Sequence, residues 1–137
     1  MRKKLLQGIK AFLGCCCLMT GISCQQNPGI HTVDAAAFKQ IIANSDSVQL
    51  IDVRTPEEYQ NGHITDAILM DVKADSFTAA AEDKLNKDIP VAVYCRSGKR
   101  SLHAANLLTK LGFKQIYNLK GGITEWKEKG MEVATEP

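Results

Sequence analysis

Short apolar runs that alternate with stretches of helical spacing are the feature that most constrains the fold of this chain. Three strong runs, at 48–53, 90–94 and 115–119, are rich in β-branched residues, and weaker ones lie at 30–33 and 67–70. Runs that are apolar along their whole length are typical of strands covered on both faces. Strands alternating with helices predict an α/β fold, a parallel or mostly parallel sheet between two layers of helices.

Helix start and stop signals lie between these runs. Asp34 can cap a helix over 35–43. The sequence at 55–58, Thr-Pro-Glu-Glu, places a capping hydroxyl before a proline at the first helical position and a glutamate at the third, and Gly62 is a stop signal. Further helices are predicted over 76–85, 101–111 and 124–129.

The first 23 residues differ from the rest of the chain. Four basic residues and no acidic ones lie in this segment, which also contains a 12-residue stretch of mainly apolar and small residues at 11–22. A membrane-spanning helix needs about 20 apolar residues, so this stretch is too short to span but suits the central part of a secretory signal.

Residues 21–24, Gly-Ile-Ser-Cys, resemble the lipobox of bacterial lipoproteins. The resemblance implies cleavage before Cys24 and lipid attached to that residue. We therefore expect a signal peptide over 1–23, a lipidated cysteine and polar tether over 24–30, and one domain over 31–137. The mature protein would be exported, anchored to a bacterial membrane through its lipid and facing the periplasm. An ordinary signal peptide, an uncleaved anchor and a cytosolic chain are the alternatives.

Removal of the expected signal peptide, residues 1–23, changes both the net charge of the chain and the number of its cysteines. It leaves 13 basic and 15 acidic residues, a formal net charge of −2, so the balance of charge gives no reason to expect a nucleic-acid partner. Only Cys24 and Cys95 remain of five cysteines. If Cys24 carries lipid, Cys95 has no partner in its own chain, which excludes a disulfide framework and a cysteine-built zinc site.

The segment 94–101, Tyr-Cys-Arg-Ser-Gly-Lys-Arg-Ser, contains the candidate nucleophile. Cys95 directly follows the run at 90–94, and ligands of parallel sheets bind at the carboxyl ends of the strands. A thiol with an ordinary pKa of about 8.5 is mostly protonated at neutral pH, whereas catalysis requires the thiolate. The amino terminus of the next helix and the three cations Arg96, Lys99 and Arg100 favour the thiolate.

Gly98 permits a positive φ that turns the loop amides inward, which predicts a concave anion site. The alternative is a buried cysteine at the end of a core strand, beside a turn whose cations are solvated.

The same loop resembles the active-site loop of the rhodanese family of sulfurtransferases. Two further stretches agree: 50–59 with the Gly-His-Ile at 62–64 resembles the amino-terminal signature, and 119–123 with Trp126 and Gly130 resembles the carboxy-terminal one. The resemblance implies a twisted five-stranded parallel sheet and a Cys95 that carries sulfur as a persulfide. It also implies a small anionic donor such as thiosulfate, and a thiophilic acceptor such as cyanide or a protein thiol. No metal or organic cofactor is implied.

By the position of its residues in the family pattern, the resemblance implies that the backbone amides of the loop bind the persulfide and that the cations of the loop attract the donor. The predicted site therefore comprises Cys95 as nucleophile and the loop residues Arg96, Ser97, Gly98, Lys99, Arg100 and Ser101. Asp52 and Arg54 follow a strand and are candidates for the rim of the site, although a structural ion pair is the favoured interpretation. We expect a monomer.

Two other functions remain open. Cysteine phosphatases, some of which have a rhodanese-like fold, place five residues between cysteine and arginine, whereas four separate Cys95 from Arg100. The shorter loop makes a smaller concave anion site, which is better sized for a single sulfur atom than for a tetrahedral phosphate or arsenate. The second alternative is a rhodanese-like module whose main task is to bind a partner or to relay sulfur to it.

Other conspicuous side chains have simpler interpretations. His63 lies in the predicted turn at 62–64 and is expected to bond to backbone, and His103 is expected on the exposed side of its helix. With His31, these histidines are too scattered to form a metal site. Glu58 is expected to close a helix cap and Trp126 to pack in the core.

Overall fold

The computed structural model describes residues 27–44 and 46–135, which form five strands and five helices in strict alternation. In chain order the elements are β1 (Ile30–Val33), α1 (Ala35–Ile42), β2 (Gln49–Asp52), α2 (Pro56–Gln60), β3 (Ile68–Leu69), α3 (Phe77–Lys84), β4 (Val91–Tyr94), α4 (Lys99–Lys110), β5 (Ile116–Leu119) and α5 (Gly122–Glu128).

All five strands belong to one sheet in the order β1-β5-β4-β2-β3, and every neighbouring pair is parallel. The predicted five-stranded parallel α/β fold is therefore confirmed. β4 lies at the centre, with all four of its residues buried, and its last residue, Tyr94, is in register with Asp52 of β2. Cys95 thus leaves the sheet at its middle, on the carboxyl edge.

Helices cover both faces of the sheet, and each layer has its own apolar core. On one face α3 and α4 contribute Phe77, Ala104 and Leu108, whereas α1 and α5 contribute Phe38 and Trp126 on the other. The rings of Phe38 and Trp126 meet edge to face, with centroids 6.4 Å apart, which confirms the predicted core position of the tryptophan. The central strand is thus buried between these two layers, directly before the residues of the cysteine loop.

Two helices begin two residues earlier than the sequence predicted. α4 begins at Lys99 instead of Ser101, and α5 at Gly122 instead of Thr124. The residues at both caps are glycines, Gly98 and Gly121, and neither helix has a side-chain cap. The predicted starts were wrong because both caps are glycines, which have no side-chain oxygen to mark the beginning of a helix.

No helix within the described ranges is both long and apolar enough to cross a membrane. The expected signal peptide and the lipidated Cys24 lie outside the described residues.

Candidate active site

The loop that joins β4 to α4 wraps its backbone around the sulfur of Cys95. The residue is fully buried, and its Sγ accepts hydrogen bonds from the backbone N–H of Gly98 at 3.1 Å and from the hydroxyl of Ser101 at 3.3 Å. Ser101 is itself fully buried in the first turn of α4. The sulfur is therefore held by directed donors at the amino terminus of a helix.

These donors lower the pKa of the thiol. Burial raises the pKa of Cys95, but hydrogen bonds from the Ser101 hydroxyl and from the backbone of Ser101, Ser97 and Gly98 outweigh it, so the pKa lies below its ordinary value. The sequence pointed to a helix terminus and to three neighbouring cations. Among the causes that lower the pKa of Cys95, the leading ones are the hydrogen bonds from the Ser101 hydroxyl and from the loop amides, so Ser101 has a more direct role than its position alone indicated.

Two glycines with positive φ give the loop its shape. Gly98 has a φ of 94°, and a side chain there would collide with the backbone carbonyl of Lys120. Gly122 has a φ of 60°, and a side chain there would collide with the carbonyl of Arg96. Only glycine fits either position, because a Cβ would displace the loop.

The start of α5 supports the loop from behind. The N–H of Ile123 donates to the carbonyl of Cys95 at 2.9 Å, and the N–H of Thr124 donates to that of Arg96 at 3.2 Å. Two glycines, Gly121 and Gly122, stand at the start of α5. The second of them lets α5 reach the backbone of the cysteine loop, because a side chain there would collide with that backbone.

The three loop cations have unequal surroundings. Arg96 and Lys99 are exposed, whereas Arg100 donates to both carboxylate oxygens of Glu58, at 2.8 and 2.7 Å. The hydrogen bond from Arg100 lowers the pKa of Glu58 to about 2, and the carboxylate in turn raises the pKa of Arg100. Glu58 closes the predicted capping box with Thr55, but its second role as the partner of Arg100 was not predicted.

Asp52 and Arg54 form a buried ion pair immediately beneath the site. Arg54 Nη2 lies 2.7 Å from Asp52 Oδ2, with Asp52 fully buried and Arg54 only 4 % exposed. Burial lowers the pKa of Arg54, but the hydrogen bond from its guanidinium to Asp52 outweighs this, and the pKa is raised. The expected ion pair is present, and the Asp52 side chain has no exposed surface.

The pair extends into a network that fixes the end of β4. The hydroxyl of Tyr94 donates to Asp52 Oδ2 at 2.7 Å and accepts from the N–H of Ile64 at 2.9 Å, while Arg54 donates to the carbonyl of Gly62 at 2.7 Å. Burial, followed by the charge of Asp52, raises the pKa of Tyr94 well above its ordinary value. The residue before the nucleophile is thereby anchored as a neutral phenol.

An open cleft of about 430 Å³ lies beside the loop, between α2 and α5. Its lining includes Arg54 and Arg96 together with Glu58, Thr124 and Lys127. Arg54, although almost completely buried, thus contributes to the lining of the cleft. Lys127 was not among the predicted site residues, because only the fold brings α5 next to the loop.

The three histidines have different surroundings in the structure. His63 is buried, stacks on Tyr59 at 3.7 Å between ring centroids and has Nδ1 3.0 Å from the Tyr59 carbonyl oxygen, as its expected backbone bonding requires. His31 and His103 are exposed. Within residues 27–44 and 46–135 there is no group of three histidine, cysteine or acidic residues that could hold a metal ion.

Comparison with known proteins agrees with this geometry. Residues 34–129 match the Rhodanese-like domain family model. A protein named "Sulfurtransferase" from Allochromatium vinosum is 33 % identical over 76 % of this chain and 94 % of its own length. A "Putative thiosulfate sulfurtransferase, mitochondrial" from Schizosaccharomyces pombe is 38 % identical over 61 % and 66 %, respectively. A "Putative sulfur carrier protein" from Bacillus subtilis is 31 % identical over 78 % of this chain but only 56 % of its own.

Solved structures show the same fold. A "Rhodanese-like Domain Protein" from Staphylococcus aureus superposes with a TM-score of 0.66 at 27 % identity, covering 78 % of this chain and 99 % of its own. A Rhodanese-like domain from Anabaena sp. gives a TM-score of 0.67 at 27 % identity, with coverage of 77 % and 79 %.

Proposed function

Because the chain belongs to the Rhodanese-like domain family, we propose that it carries sulfur as a persulfide on Cys95, from a small anionic donor to a thiophilic acceptor. Sulfur transfer in general follows from the family and from its sulfurtransferase relatives. The observation that carries the specific proposal is the Cys95 sulfur itself. It is buried, receives hydrogen bonds from Gly98 and Ser101, and has a lowered pKa.

In the first step the Cys95 thiolate attacks the outer sulfur of a donor such as thiosulfate. The new bond joins Sγ to that sulfur, the S–S bond of thiosulfate breaks, and sulfite leaves with the electron pair. The negative charge moves from Sγ to the outer sulfur of the persulfide. Inward-facing amides of the loop stabilise that anion in the way backbone donors stabilise charge at other active sites.

In the second step a thiophilic acceptor, such as cyanide or a thiolate, attacks the outer sulfur. The Sγ–S bond breaks and Cys95 leaves as a thiolate, ready for another cycle. A thiol of lower pKa leaves faster. The hydrogen bonds from Gly98 and Ser101 therefore serve both steps, since they stabilise the same thiolate as nucleophile and as leaving group.

We also propose that the protein works outside the cytosol, attached to a bacterial membrane through lipid on Cys24. The support is the basic and apolar leader followed by the Gly-Ile-Ser-Cys sequence at 21–24.

Intact mass spectrometry of the full chain, produced in a bacterium and extracted from its membranes, tests both proposals. Incubation with thiosulfate should add the mass of one sulfur atom, and cyanide should remove it. Cys95→Ser should add none while keeping the fold, because the substitution is nearly isosteric. A domain that only binds partners would gain no sulfur from any donor, which would refute the proposed chemistry. A mature mass without lipid on Cys24 would refute the anchor alone.

A further inference from the structure

The ion pair between Glu58 and Arg100 joins α2 to the cysteine loop across 42 residues of sequence. Both terminal nitrogens of the guanidinium face the carboxylate, at 2.8 and 2.7 Å. The two side chains are only 23 % and 29 % exposed, so water screens the pair less than it would a surface pair. Arg100 is the last cation of the loop and directly precedes Ser101, a hydrogen-bond donor to the reactive sulfur.

Glu58 is held in place from its other side as well. Its Oε2 accepts from the N–H and from the hydroxyl of Thr55, each at 3.1 Å. These bonds belong to the capping box of α2, so the carboxylate cannot turn away without uncapping that helix. Arg100 is therefore not free to rotate toward an incoming anion while Glu58 keeps its cap.

The remaining loop cations are not restrained in this way. Arg96 and Lys99 are exposed and take part in no ion pair within the described ranges. Glu58 thus withholds the charge of Arg100 from the mouth of the site and leaves two exposed cations, Arg96 and Lys99. The loss matters most for a dianion such as thiosulfate, because thiolate attack brings together three negative charges.

On the basis of the proposed function, we propose that Glu58, by holding Arg100, selects sulfur donors of low charge, such as hydropersulfides of small thiols, over dianionic thiosulfate. With a hydropersulfide, R–S–SH, the Cys95 thiolate attacks the outer sulfur and the thiolate RS⁻ leaves with the electron pair of the S–S bond. Cys95–S–SH remains, and no oxidant or reductant is needed. Glu58 acts through Arg100 and is a positioning residue.

The test measures the second-order rate of sulfur loading on Cys95, by intact mass, with two donors: thiosulfate and the hydropersulfide of 2-mercaptoethanol. Glu58→Gln keeps the cap geometry but frees the charge of Arg100. We expect loading from thiosulfate to rise about tenfold, as expected for one unit charge a few ångströms from a dianion. Loading from the hydropersulfide should change less than about twofold.

Glu57→Gln is the matched control. It removes the same charge from the same helix, one residue earlier, at an exposed position outside every ion pair of the described residues. If it raises thiosulfate loading as much as Glu58→Gln does, the effect is one of net charge and the proposal is wrong.

Arg100→Gln and the double variant complete a thermodynamic cycle. Arg100→Gln leaves a bare carboxylate near the site and should depress thiosulfate loading more than hydropersulfide loading. The double variant restores a neutral pair and should return the ratio of the two rates to within about twofold of the wild type. If Glu58→Gln slows both donors equally, the ion pair shapes the loop without selecting the donor, and the proposal fails.

The wild-type protein separates this proposal from the function on which it rests. If it loads no sulfur from either donor, the proposed function fails and the selectivity proposal falls with it. If it loads sulfur normally but the ratio of the two rates is the same in Glu58→Gln, only the selectivity proposal is overturned.

Discussion

Two ion pairs lie near Cys95, and they differ in almost every physical respect. Asp52 and Arg54 are two residues apart and almost completely buried, and they anchor the residue before the nucleophile through Tyr94. Glu58 and Arg100 are 42 residues apart and partly exposed, and their charges face the mouth of the loop. The first pair stabilises the frame of the site, and the second modifies its charge. A charge pair near a nucleophile therefore has no single meaning until its burial and partners are known.

The largest effect should come from breaking the buried pair. Asp52→Asn leaves the Arg54 guanidinium buried without a counter-charge. It also weakens the hydrogen bond that the Tyr94 hydroxyl donates to residue 52. Such a change should lower the free energy of unfolding by about 3–5 kcal/mol, as measured by urea denaturation. Glu82→Gln, which breaks the exposed pair with Lys87, should cost less than about 1 kcal/mol. An equal loss in the free energy of unfolding of the two variants would mean that the buried pair contributes no more to stability than an exposed one.

The next largest effect should come from the close contact between α5 and the cysteine loop. Gly122→Ala places a methyl group against the carbonyl of Arg96 at a φ of 60° and should lower the free energy of unfolding by about 2–4 kcal/mol. Gly130→Ala is the control, because it has a similar φ of 74° but nothing within 4 Å, so it should cost only about 1 kcal/mol. The difference between the two measures how tightly α5 is packed behind Cys95.

A smaller, charge-dependent effect should reveal the exposed pair. The carboxylate of Glu58 has a pKa of about 2 against an ordinary value of 4.5, chiefly because Arg100 donates to it. Because the pKa of Glu58 is lower in the folded state than in the unfolded state, its carboxylate stabilises the folded state at any pH above 4.5. This contribution is lost as the pH falls from 4.5 toward 2. Unfolding followed from pH 6 to pH 2 should be less pH-dependent in Glu58→Gln than in the wild type. Identical profiles would mean that the ion pair contributes nothing to stability.

The smallest change in structure should come from Ser101→Ala, which touches neither pair. It removes the hydroxyl that donates to Sγ, so the pKa of Cys95 should rise and its alkylation by iodoacetamide should shift to higher pH. The rate at neutral pH should fall severalfold, since less of the thiol is ionised. The exposed Ser97→Ala keeps its backbone donor and is the control; an equal shift there would remove the special role of the Ser101 hydroxyl.

Much of this arrangement could be predicted from local sequence. The positions of the strands follow from apolar runs, and the start of α2 follows from its capping box, because both depend on neighbouring residues. The site loop was also placed correctly at the carboxyl end of a central strand. The starts of α4 and α5 could not be predicted in the same way, since glycine caps leave no side-chain signal.

The sequence by itself determined the alternation of strands and helices, the position of Cys95 after β4, and the glycine that turns the loop amides toward its sulfur. Only the tertiary structure decided which charges from distant parts of the chain meet. Glu58 reaches Arg100 across 42 residues, and α5 reaches the backbone of Cys95 and Arg96, because the parallel sheet brings the ends of distant strands to one edge. The physical reason is range: caps and turns act over a few residues, whereas partners across a sheet edge are set by strand order.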